Sequence, residues 1–267
     1  MKHKIILAIF CFTLAATAFS QKKTNFQKKV DHLKSLLTHA DTISYELADS
    51  VNVLISKQLV SVLSDPELTR YKPDSVLHHP FLDIIHSPDR KFWVFSWYEN
   101  TGGTFQSYLS VIYYRTGNNK VKVQEVTWGD NADNFPGWGG TFSEIHTLPH
   151  PSRQLYLCIG FVKGCSTCCA NIAAVIELTK DGINFGYPAF GMGDEIDHAN
   201  EGPSSFVLRS RCGSVENFEY DPKTTTIYYS YTPDDETPIS PEEANRVTGT
   251  IKWNDKYFEI RETKKLP

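Results

Sequence analysis

Hydrophobic positions along this chain fall into two regimes. Between residues 26 and 63 they recur every three or four residues, the spacing of one helix face. Phe26, Val30, Leu33 and Leu37 make one stripe. Ile43, Leu47, Val51, Leu54 and Val62 make a second, with Asp41-Thr42 as its capping signal and Pro66 as its stop. The pattern predicts a helical N-terminal segment over 21–70 that covers a sheet or closes one of its edges. From about residue 76 the period becomes two. Phe92 to Trp97, Ser110 to Tyr114, Val121 to Val123, Ile227 to Tyr231 and Lys256 to Ile260 are aromatic and β-branched runs separated by turn residues.

The β region repeats itself. Phe81-x-x-Ile84, Pro88 and Trp93-Val94-Phe95 reappear as Phe142-x-x-Ile145, Pro149 and Leu155-Tyr156-Leu157. Val111-Ile112 reappears as Val175-Ile176, and a fainter third unit runs through Phe218, Pro222 and Ile227-Tyr228-Tyr229. The expected fold is mainly β: repeated antiparallel four-stranded meanders, propeller-like or stacked as curved sheets, behind an N-terminal helical segment. A β-rich domain of about three meander units then occupies 71–267. The Ser87-Pro88-Asp89-Arg90-Lys91-Phe92 turn resembles blade hairpins of β-propellers. The wider string, through Trp97 to Thr101-Gly102-Gly103-Thr104, is similar to secreted proteins of Bacteroidota; the resemblance covers about a fifth of the chain and implies no activity.

The N-terminus changes the picture of where the protein works. Met1-Lys2-His3-Lys4 is basic, Ile5 to Phe19 is apolar apart from two threonines, and small residues precede Ser20. That order is a secretory signal peptide over 1–20, too short for a comfortable membrane span. Cys11 is followed by further apolar residues, which argues against lipidation there. Removing 1–20 leaves 25 basic residues against 31 acidic, a net charge of −6. That balance excludes a nucleic-acid partner. With no second long apolar segment, the expected product has no membrane span after signal removal and is periplasmic or extracellular.

Meander topology predicts where chemistry gathers. Turns at 88–90, 116–119, 150–152, 180–182 and 222–224 share one end and are short. The connections 99–104, 128–141, 163–169, 190–204 and 232–245 share the other, and long loops more often carry function. Loop 128–141 holds Trp128, Asp130, Asp133, Asn134 and Trp138. Indole faces beside amides and carboxylates suit sugar rings, with hydroxyls hydrogen-bonded and C–H faces stacked. Loop 190–204 adds Asp194, Asp197 and His198. These eight residues are the candidate ligand contacts. Asp130, Asp133 and Asn134 do not follow EF-hand spacing; Asp194, Glu195, Asp197 and His198 could serve a metal but read as a solvated acidic turn, so no metal is expected.

Past the signal segment, five cysteines remain: Cys158, Cys165, Cys168, Cys169 and Cys212. In an oxidising compartment disulfides are the default. Cys165-Ser166-Thr167-Cys168 has the spacing of half a zinc site or of a redox motif. A second ligand pair is missing, and no βαβ unit surrounds it. Cys165, Cys168, Cys169 and Cys212 are therefore the disulfide candidates. Cys212 is expected to pair with one of the other three, while Cys158 packs within a strand.

No Gly-x-Ser-x-Gly elbow or His-Glu-x-x-His motif is present. Glu99, Glu144 and His146 have acid–base chemistry but sit in strand-like context. The expectation is a non-catalytic extracytoplasmic binding or interaction protein, for a glycan or another envelope protein, with no cofactor. The alternative is a secreted glycosidase-like hydrolase using carboxylates on the long-loop face.

Overall fold

The computed structural model describes residues 23–40, 42–100, 103–126, 139–190, 204–232 and 246–266. Helix α1 (Asn25–Ala40) buries Phe26, Val30, Leu33 and Leu37, the predicted stripe. Helix α2 (Tyr45–Leu63) behaves differently. Its inward face is Ala48, Asn52, Ile55, Leu59 and Val62, whereas Leu47 and Leu54 are exposed. Apolar residues line both sides of this helix, so spacing alone allows either face. Asn52 decides between them: its amide donates to the Glu99 carbonyl at 2.6 Å, and its oxygen accepts from the Trp97 indole at 3.0 Å. A buried amide keeps such partners facing the sheet. A 3-10 turn (Pro66–Arg70), capped by the Asp65 carboxylate on the Glu67 N–H, and a short helix α3 (Pro73–Leu77) lead into the sheets.

Among the described residues, thirteen strands build three antiparallel sheets in chain order. The first contains β1 (Asp83–His86), β2 (Phe92–Tyr98), β3 (Tyr108–Arg115) and β4 (Val121–Glu125). The second contains β5 (Thr141–Leu148), β6 (Gln154–Lys163), β7 (Cys168–Leu178) and β8 (Ile183–Asn184), with β9 (Ser205–Arg211) also pairing β7. The third contains β10 (Val215–Asp221), β11 (Thr226–Tyr231), β12 (Arg246–Trp253) and β13 (Phe258–Leu266). The middle sheet departs from a plain meander. Its fourth position is shared: β8 pairs the C-terminal end of β7, and β9 pairs the N-terminal half.

Strand alternation explains how the sheets stack. On β2, Trp93, Phe95 and Trp97 meet α1 and α2, while Phe92 and Val94 meet the middle sheet. On β6, Tyr156 and Cys158 face the first sheet, while Leu155, Leu157 and Ile159 face the third. Helices, first sheet, middle sheet and third sheet thus lie in four successive layers. Strands buried on both faces read as continuous apolar runs, such as Leu155 to Ile159. Short hairpins use left-handed residues to reverse the chain: Arg90, Asn119, Thr225 and Asp255 all have φ between 53° and 71°. No helix among the described residues is long and apolar enough to cross a membrane.

Candidate functional site

The strongest candidate site lies at the end of the first sheet where the long connections emerge. Asp83 opens β1 opposite Ser96. Tyr98, two residues further along β2, is therefore its diagonal neighbour on one face, and Tyr108 of β3 is the direct partner of Tyr98. The two phenol rings lie 5.8 Å apart in a tilted pair. With Phe81, Asn100, Trp97 and the C-terminal turn of α1 they line a cleft of about 280 Å³. Trp97 forms its buried floor, and Phe81 and Tyr98 are exposed. Asn100 adopts a left-handed conformation, and its amide donates to the Ala40 carbonyl at 3.2 Å. This fastens the sheet end to the helix.

Electrostatics sets the Asp83 carboxyl apart. Partial desolvation raises its pKa above the ordinary carboxylate value. The Tyr108 phenol is also raised, first by burial and then by the charges of Asp83 and Tyr98. The cleft therefore presents an exposed carboxyl, shifted upward by partial desolvation, beside two tyrosines and the exposed faces of Phe81 and Tyr98. It can stack an apolar face and hydrogen-bond a polar edge.

A second cleft of about 370 Å³ lies on the other side of Trp97. Its polar lining includes Asp49, Asn52, Ser56, Lys57, Glu99 and Glu125, and Ser56 donates to Glu125 at 2.6 Å. Glu99 thus belongs to this cleft, not to a pair with Asp83 in one pocket. Glu144 and His146 lie elsewhere, on β5. They hydrogen-bond each other at 2.7 Å, and the imidazole packs on Tyr220 with centroids 4.7 Å apart. Among the described residues, no group of three or more His, Cys, Asp or Glu could hold a metal.

Comparison with protein-family models, with curated proteins and with solved structures finds no match. The site must be read from its own geometry.

The predicted ligand contacts Trp128, Asp130, Asp133, Asn134, Trp138, Asp194, Asp197 and His198 all lie outside the described residues. The two ends of the first loop are described, and both reach the clefts. Val126 lines the second cleft and donates its N–H to Ser110. Gly139 accepts the N–H of Tyr108 at 2.8 Å. Of the cysteines, Cys165 is bonded to Cys168 and Cys169 to Cys212, while Cys158 is a buried thiol. Sequence reasoning passed over Asp83, Tyr98 and Tyr108. The available signal was a carboxylate at a strand start, two residues after Phe81, in a chain whose other strand starts are mostly apolar or hydroxylic.

Proposed function

We propose that this protein is an extracytoplasmic binding protein that holds a glycan in the Asp83 cleft and extends its contacts through the loop between Val126 and Gly139. The observation that carries the reading is the Asp83–Tyr98–Tyr108 constellation at the long-loop end. A carboxyl among aromatic faces is the usual chemistry for a ring with one hydroxylated edge and one C–H face. Two disulfides are in keeping with an oxidising compartment. The test is a glycan array followed by calorimetric titration of residues 21–267. The reading expects a specific oligosaccharide whose binding is weakened by Tyr98→Ala. Absence of any glycan, or a glycan indifferent to Tyr98→Ala, rejects it.

One observation favours a hydrolase as the second reading. Asp83 is a carboxyl in a cleft with its pKa shifted upward, the direction that suits a general acid. Release of reducing sugar from a bound glycan, abolished in Asp83→Asn, decides for it.

A further inference from the structure

The tip of the β6–β7 hairpin carries two disulfides with different physical standing. Cys169–Cys212 has a sequence separation of 43 and a buried member, Cys169. It fastens the chain after β9 to the start of β7. Cys165–Cys168 has a separation of only three, and Cys168 is exposed. Closing so short a loop constrains the unfolded chain little. The hairpin tip is also held without it. Gly164 and Cys165 donate their N–H groups to the Cys168 carbonyl at 2.8 and 3.2 Å, and Cys212 donates to the Thr167 carbonyl at 2.8 Å. The second disulfide is therefore expendable for the fold.

Its two sulfurs are not equivalent. Cys165 Sγ accepts the backbone N–H of Thr167 at 3.3 Å and of Cys168 at 2.9 Å. Those donors belong to the backbone frame that survives opening of the bond, so they stabilise negative charge on Cys165 when it is reduced. Backbone donors of this kind lower a thiol's pKa and make it a better leaving group.

We propose that Cys165–Cys168 is an exchange-active disulfide that oxidises a dithiol of a partner protein, while Cys169–Cys212 is structural. A partner thiolate attacks the exposed Cys168 Sγ. The Cys165–Cys168 bond breaks and its electron pair leaves on Cys165 as the hydrogen-bonded thiolate. The partner's second thiolate then attacks its own sulfur in the mixed disulfide, releasing Cys168 as a thiolate that takes up a proton. The partner loses two electrons and two protons and gains a disulfide. This protein gains both electrons, as the Cys168 thiol and the hydrogen-bonded Cys165 thiolate, and the second proton goes to solvent.

The test has two arms on the full chain. Oxidised protein is treated with limiting dithiothreitol, alkylated and peptide-mapped. Label is expected on Cys165 and Cys168 while Cys169–Cys212 stays joined. Cys158, buried with its thiol pushed well up by burial, is the unlabelled internal control. Next, Cys168→Ser and Cys165→Ser, each mapped for an intact Cys169–Cys212 bond, are reacted with an aromatic disulfide at pH 7. The lone Cys165 thiol of Cys168→Ser should react roughly tenfold faster, through its larger thiolate fraction. Simultaneous opening of both disulfides, prior opening of Cys169–Cys212, or equal or faster reaction of Cys165→Ser overturns the proposal. The last outcome would mean that exposure, which is greater at Cys168, governs reactivity.

Discussion

The Tyr156 hydroxyl in the middle sheet donates to the Asp89 carboxylate in the first sheet's β1–β2 turn at 2.8 Å. Asp89 also accepts from Gln154 at 2.9 Å through the same oxygen. Its other oxygen accepts from the Ser87 hydroxyl at 2.6 Å and the Lys91 N–H at 3.2 Å. Burial alone would raise this carboxyl, but the hydrogen bonds from Ser87, Tyr156, Lys91 and Gln154 outweigh it, so the pKa is lowered. The Ser-Pro-Asp turn thus serves as a clamp between two sheets.

A double-mutant cycle measures that clamp. Asp89→Ala and Tyr156→Phe should each destabilise the fold, with a coupling energy of about 0.5–2 kcal/mol. The folded-state pKa of Asp89 lies below its unfolded value. Its contribution is therefore complete above the ordinary Asp value of 3.8 and is lost as pH falls through the folded pKa. Asp89→Asn should narrow the gap to wild type in acid. Additive single effects in chemical denaturation would show that the two residues do not act together.

Thr225 is a β-branched residue at φ 53° in the β10–β11 turn. Such residues are strained in the left-handed region, and glycine is not. Thr225→Gly should raise stability by about 0.5–1 kcal/mol, offset in part by the hydroxyl's bond to the Thr224 carbonyl. A lower melting temperature would show that this bond outweighs the strain.

Gly249 of β12 pairs with Tyr229 of β11, and the phenol ring occupies the space a Cβ at residue 249 would need. The ring is buried in the interface between the middle and third sheets. Gly249→Ala should force it out of its rotamer and cost about 1–3 kcal/mol. Adding Tyr229→Ala should make the second substitution cheaper than it is alone, because the conflict is then gone. Equal penalties in both backgrounds would remove the steric account.

Much of this architecture is legible in the sequence because it rests on local periodicity. Runs of period two with turn residues between them set out β2, β3, β4 and β11, and the recurrence of Phe81-x-x-Ile84 as Phe142-x-x-Ile145 marks successive sheets. What periodicity cannot resolve is a choice made by distant partners. The face of α2 follows from Asn52 meeting Trp97 and Glu99, forty-odd residues away. The split of the fourth strand position between β8 and β9 depends on which part of β7 remains unpaired. The Asp83 cleft is likewise non-local, joining the end of α1 to three strand ends, whereas sequence reasoning looked within single loops.

The Asp83 cleft makes a forecast in which stability and function move in opposite directions. The carboxyl's folded-state pKa is raised by desolvation. A raised acid contributes stability below its unfolded pKa, and that contribution disappears as pH rises through the folded value. Asp83 is exposed, so solvent screens most of the cost of its ionised form at neutral pH, and Asp83→Asn removes the small remainder. The variant should melt at the same temperature as wild type or higher at pH 7, with the difference shrinking toward pH 4. Its affinity for the glycan should nonetheless fall by about 1–3 kcal/mol, since an amide replaces the accepting carboxylate that lines the cleft. Thermal melting and calorimetric titration of this one variant, across that pH range, read both quantities. A variant that melts lower while binding normally would assign Asp83 to the fold and leave the cleft without its anchoring group.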